Sequence, residues 1–368
     1  MRWLCQSALS ARRAIEDSPR SCSRIQGRSA SWRQRSGRQS QPSQPLQVSF
    51  LCKFATGSRW PKTRACKSVW PLTTIAHGMT THDPKSAPPG ATTADDTVAR
   101  YEAALAQLES RGIDPRGRFE QFQSALGELR AGKRVDQVLL SQAFLDLFQL
   151  AHIVEQLGGS NDPVLRSKLK LVMHDPGDPR IGADTPGRDA QSELFLAAGL
   201  ASRGVHVTFE EPDLVAHIDS LYFGLAVKRP KAIRGLDRNL RRAIGQLSRE
   251  GSTLPSITHG VPAIDITLLA NRGGLVAVSR DARSAVSAAD QLLDTVAEHI
   301  AVTDVMSTLL AGKGEAGVRL CCGVLLFGAV TQYGQFGGVT NSAAFRMLRL
   351  GSSHRGALDL LANAVRST

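Results

Sequence analysis

An α/β fold is predicted for residues 188–368, preceded by a helical domain over residues 96–175. Three observations predict it. Apolar residues recur at helical spacing as far as about Met173, as in Leu139, Phe144, Leu147, Leu150 and Ile153. The period then changes, and short β-branched and apolar runs alternate with helical ones. Between the two lies His174 to Asp189, dense in Pro, Gly and Asp, which reads as an inter-domain linker.

The elements follow in order. Helices are expected over Thr97–Arg111, Gly117–Ala131, Val135–Leu157 and Pro163–Met173, the third stopped by Gly158 and Gly159. A helix from Asp189 to Ser202 ends at Gly204 and leads into the strand VHVTF at 205–209. DLVAHID and LYFGLAVKRP, separated by a turn at Asp219 and Ser220, read as a hairpin. A basic helix over Arg234–Arg249 is followed by a strand at 261–270 and a long helix over about 281–310. A strand at 318–333 and a helix over Arg355–Val365 complete the chain. The resulting core order is α-β-β-β-α-β, with a further helix.

Charge separates the N-terminus from this body. Residues 1–78 hold 14 of the 45 basic residues but only Glu16 and Asp17 of the 33 acidic ones, so they carry the whole net charge of +12. Residues 79–368 hold 31 of each sign. All four tryptophans and four of the six cysteines also lie in the first 78 residues. Residues 1–95 therefore read as a non-periodic basic leader that cannot bury enough apolar area to offset chain entropy. Three readings compete for it: an organelle transit peptide, a basic nucleic-acid-binding arm, or sequence upstream of a true start at Met79, of which the last is favoured. The longest uninterrupted apolar run, Leu320 to Val330, has the length of a buried strand, so no membrane span is expected. Adjacent Cys321 and Cys322 would point to opposite faces of that strand, suiting neither a disulfide nor zinc, and a reducing, cytoplasmic setting is expected.

Four polar residues carry the chemistry. Glu193 sits in the otherwise apolar helix SELFLAAGL, where a carboxylate is costly without a cation or metal. Asp213 follows Pro212 at the mouth of a hairpin strand. Lys228 ends the apolar strand FGLAVKRP, and Gln246 lies in the helix that follows. Each has a plain structural alternative: Glu193 as an N-terminal helix acid near a Ser192 cap, E-E-P-D and K-R-P as solvated strand ends, Gln246 as a surface residue.

Taken in order, a helix Glu, then E-P-D, a hairpin strand ending in K-R-P, and a helix Gln resemble the PD-(D/E)XK nuclease superfamily, over about Gln191–Gln246 at the level of motifs. The resemblance implies a restriction-endonuclease-like fold and a Mg²⁺ site for cleaving DNA phosphodiesters. Asp213 and Glu193 would hold the metal, Lys228 would orient or polarise the attacking water, and Gln246 would support metal, water or nucleic-acid backbone. The second acid position falls on Ala226, so a ligand is missing there. An extended Glu211-Pro212-Asp213 would let Glu211 supply it, and Asp265 or Asp219 could reach in from elsewhere. Otherwise the centre is degenerate, and the chain is a non-catalytic nucleic-acid-binding or protein-interaction protein that keeps the fold.

A polyanion partner is expected from the basic cluster Lys228, Arg229, Lys231, Arg234, Arg238, Arg241, Arg242 and Arg249, opposed within it by Asp237 alone. Arg234, Arg238, Arg241 and Arg242 would form one stripe on a helix, suited to tracking DNA phosphates, the competing reading being a solvated helix face. His174, His206, His217 and His259 lack metal-ligand spacing, and GQFGGVT matches no phosphate-loop fingerprint. Leu292, Leu293, Val296 and Ile300 read as core or as the seam of a homodimer.

Overall fold

The computed structural model divides the chain into two units, Met1–Ser68 and Val69–Thr368. It describes residues 94–131, 133–175, 186–250, 258–271, 277–279, 291, 293–300, 305, 319–321, 323–334, 339–350 and 354–366, all within the second unit. The expectations for residues 1–78 and for Cys322 lie outside these residues, as does most of the predicted helix at 281–310.

Four helices come first: α1 (Ala94–Ser110), α2 (Arg118–Arg130), α3 (Gln137–Leu157) and α4 (Pro163–Val172). Their starts are written into the sequence. Asp136 caps α3 by accepting from the Leu139 amide at 2.8 Å, and Asp162 caps α4 from the Val164 amide at 2.7 Å, with Pro163 in the first turn. Contrary to the expectation from uninterrupted apolar runs, Val138–Leu157 is apolar and long enough to cross a membrane. It is 72% buried inside the molecule, as suits a core helix.

The predicted order α-β-β-β-α-β is present as α5 (Pro186–Ala201), β1 (His206–Thr208), β2 (Leu214–Ile218), β3 (Leu221–Lys228), α6 (Leu236–Glu250) and β4 (His259–Asp265). The hairpin turns where expected, with Asp219 in the left-handed region at φ 55°. Beyond β4 come α7 (Thr267–Ala270), β5 (Ala277–Ser279), β6 (Arg319–Leu320), β7 (Gly323–Gly334), β8 (Val339–Arg349) and α8 (Arg355–Arg366). The fold is mixed α/β. Its eight-stranded sheet runs β1-β2-β3-β4-β7-β5, with β6 beside β4 and β8 beside β7. β1, β2 and β3 are antiparallel, β3, β4, β7 and β5 parallel, and β8 returns antiparallel along β7.

Two expectations are corrected here, and one strand is new. The strand predicted over 261–270 ends at Asp265, whose carboxylate accepts from the Thr267 amide at 2.8 Å and starts α7. The strand at 318–333 is broken at Cys321, which is buried with a free thiol. β8 was not foreseen at all.

Alternation along β3 and β7 divides the core. Phe223, Leu225, Val227, Leu325 and Phe327 face a cluster shared with α1 to α5 and α8. Ala226, Val324 and Leu326 face the other way, onto Leu236, Leu240, Ala243, Ile244 and Leu247 of α6. The N-terminal helices therefore share one apolar cluster with the sheet.

A buried ionic network joins them. Arg118 is fully buried, with Asp146 at 3.2 Å and Asp175 at 3.4 Å; these are ion-pair distances rather than well-aligned hydrogen bonds. Arg188 reaches Asp146 at 3.2 Å, and its amide donates to Asp175 at 2.6 Å. Gln191 donates to the Asp146 carbonyl at 2.9 Å and to Gln149 at 3.1 Å, and Gln149 donates to Thr267 at 3.1 Å. Burial pushes the Arg118 guanidinium down to about 10 against the pull of Asp146 and Asp175. Gly117 makes room for this contact: it sits at φ 58°, and a Cβ there would stand 2.9 Å from the Asp175 carbonyl. Replacing Arg118 with Ala leaves two buried carboxylates to Arg188 alone, so a loss of about 3–5 kcal/mol is predicted in urea unfolding. A loss near that of a surface substitution would show that the network does not hold the helices to the sheet.

Candidate functional site

Asp213, Lys228 and Gln246 meet where β2 begins, β3 ends and α6 passes over the sheet. Lys228 Nζ donates to Asp213 Oδ2 at 3.1 Å, to Gln246 Oε1 at 2.6 Å and to the Val227 carbonyl at 2.8 Å. Gln246 Nε2 donates to Asp213 Oδ1 at 2.9 Å and to the Pro212 carbonyl. The Val227 amide adds a bond of 2.7 Å to Asp213 Oδ2. Both Asp213 oxygens are thus already engaged, and the side chains of Asp213 and Lys228 are only 16% and 21% exposed.

Glu193 stands next to this triad but answers to a residue the sequence did not single out. Lys168 of α4 forms its ion pair and hydrogen bond. Burial raises the Glu193 carboxyl above its ordinary value, Lys168 draws it back, Asp213 pushes it up and Lys228 lowers it, which locates Glu193 within electrostatic reach of the triad. Because α5 starts at Pro186, Glu193 is in mid-helix, and Asp189 is the acid of the first turn. The reading of Glu193 as an N-terminal helix acid is therefore corrected.

The remaining acids do not join. Residues 211–213 form a bend rather than extended strand, so the same-face argument fails, and Glu211 is exposed while Asp213 is half-buried. Asp265 is fully buried and paired with Arg229 at 3.4 Å. Asp219 lies at the opposite end of β2 from Asp213. Ala226 is fully buried beneath the apolar face of α6, so the place implied for the second acid is part of the core. Among the described residues, no group of three or more His, Cys, Asp or Glu side chains could hold a metal ion. Two carboxylates, each bound to a lysine, are a poor fit to Mg²⁺, which needs oxygen ligands around an octahedron.

The basic residues sort by face. Lys231, Arg234, Arg238, Arg241, Arg242 and Arg249 are exposed. Arg229 is not: its side chain is 2% exposed, and it donates to the Arg188 carbonyl at 3.0 Å, joining the buried network instead of a surface track. Arg234 lies in the 3₁₀ turn Ile233–Gly235 just before α6. A groove of about 740 Å³ runs between α5 and α6, with Asp189, Ser192 and Glu193 on one side and Lys228, Arg238 and Arg242 on the other. A second concavity, of about 650 Å³, lies on α6 itself.

Comparison with protein-family models, curated proteins and solved structures finds no match for this chain.

The raised Glu193 carboxyl has a pH signature. The folded state holds that proton more tightly than the unfolded chain, so this group adds stability at low pH and loses it as pH rises through its folded value. Glu193→Gln should remove that component, and the difference in unfolding free energy between the two proteins should change as pH rises over the range above about 4, the ordinary value of a glutamate. A difference that stays constant over this range would contradict the assignment.

Proposed function

We propose that this protein binds DNA through the phosphate backbone, using a nuclease-like architecture whose acidic centre is closed by its own lysines. The observation that carries this reading is the exposed cationic face of α6. Leu236, Leu240, Ala243, Ile244 and Leu247 fasten one side of the helix to the sheet. Arg238, Arg241 and Arg242 stand on the other with no ion pair among the described residues, on a helix that lines both grooves. Helix residues four apart are about 6 Å apart along the axis, so these arginines present a row of charge along the helix and not a single point. The α-β-β-β-α-β order and the meeting of Asp213, Lys228 and Gln246 support the restriction-endonuclease-like reading.

The same convergence favours a second reading, Mg²⁺-dependent cleavage of DNA with Lys228 at the attacking water. It is the weaker of the two, because Lys228 is held by Asp213 and Gln246, and Ala226 supplies no ligand. In the binding reading the triad anchors α6 over the strand ends and so sets the position of the arginines.

Duplex binding measured by fluorescence anisotropy across a range of salt tests the proposal. The logarithm of affinity should fall linearly with that of salt concentration, and Arg238→Ala and Arg242→Ala should each reduce the slope by about 1. An unchanged slope in the double variant would remove α6 from the interface.

A further inference from the structure

We infer that the concavity on the outer face of α6 is a seat for a terminal phosphate monoester of a nucleic-acid strand. This rests on the DNA-binding reading above and adds which phosphate is taken there.

The two grooves share Lys228, Arg238 and Arg242 but differ in whether acids line them. The groove towards α5 includes the acids Asp189 and Glu193 in its walls. The concavity on α6 has Lys228, Arg238, Arg241, Arg242 and Arg249 around it and no carboxylate. A phosphodiester brings one negative charge, whereas a phosphate monoester brings nearly two at neutral pH, with three acceptor oxygens. Arg238, Arg241 and Arg242, with no ion pair among the described residues, surround one space of about 650 Å³ and match the more highly charged group.

The helix spacing gives the seat its shape. Arg238, Arg241, Arg242, Gly245 and Arg249 fall at i, i+3, i+4, i+7 and i+11, one face of α6. Gly245 occupies the middle of that face. Glycine inside a helix is less stable than alanine. No neighbour crowds the position, since a Cβ there would meet only the far end of Arg249, at 3.3 Å. What the missing side chain provides is an open floor among the arginines, next to the Lys228–Gln246 pair.

The test uses the protein and short duplexes of one sequence, whose strands end in either hydroxyl or phosphate at each terminus, read by anisotropy. A terminal phosphate should tighten binding about tenfold, the scale of one charge-assisted hydrogen bond. Gly245→Leu, which fills the floor, and Arg241→Ala, which removes one wall, should each abolish that increment. Equal affinity for both ends in the unaltered protein overturns the inference, as does an increment that survives both substitutions. Inorganic tripolyphosphate serves as competitor: if it displaces hydroxyl-ended duplexes while the strand end gives no increment, the seat belongs to a free polyphosphate and the strand-end assignment fails. If no duplex binds, whatever its termini, the DNA-binding reading itself falls.

Discussion

The fold depends on putting charge where only opposite charge can answer it. Arg118, Arg188 and Arg229 lie buried with Asp146, Asp175 and Asp265, three cations against three anions. An ion in such surroundings is expensive alone and tolerable in a balanced set. The set reaches from α2 and α3, through the start of α5, to the ends of β3 and β4. It fixes where β3 delivers Lys228, one residue before Arg229, and hence where the triad can form. The apolar cluster supplies most of the cohesion, but it is non-directional, whereas these pairs specify register.

Charge compensation then changes across one strand end. Lys228 turns to Asp213 and Gln246, Glu193 turns to Lys168, and both acids at the centre that the resemblance implies are paired from within. Outward, on the solvent side of α6, Arg238, Arg241 and Arg242 have no such partners on their own chain among the described residues. The molecule thus keeps its acidic chemistry closed and its basic surface available. That contrast is why backbone binding is favoured here over hydrolysis.

Much of this was legible in the sequence, and the failures have physical causes. The core order followed from the change of hydrophobic period, and Lys228 and Gln246 stood out because polar groups at the end of an apolar strand and on the helix over it have few places to go. Lys168 was invisible, since nothing local shows that α4 packs beside α5. Arg229 was misjudged, and Arg118 was not singled out, for the same reason: their partners, Asp265 and Asp146, are distant in sequence, and an arginine with no visible partner reads as surface. β8 carries Asn341, Ser342 and Arg346 among its residues and pairs throughout with β7, so its extended form is a tertiary effect that local propensity does not reveal.

Binding without cleavage is the central claim, and one measurement addresses it directly. Plasmid and linear DNA are incubated with the full-length protein in Mg²⁺ and, in parallel, in a chelator. The account predicts DNA that is retarded on a native gel at low salt, released at high salt and intact in both conditions. Mg²⁺-dependent nicking or shortening that disappears in both Asp213→Ala and Lys228→Ala would contradict it and restore the triad as a catalytic centre.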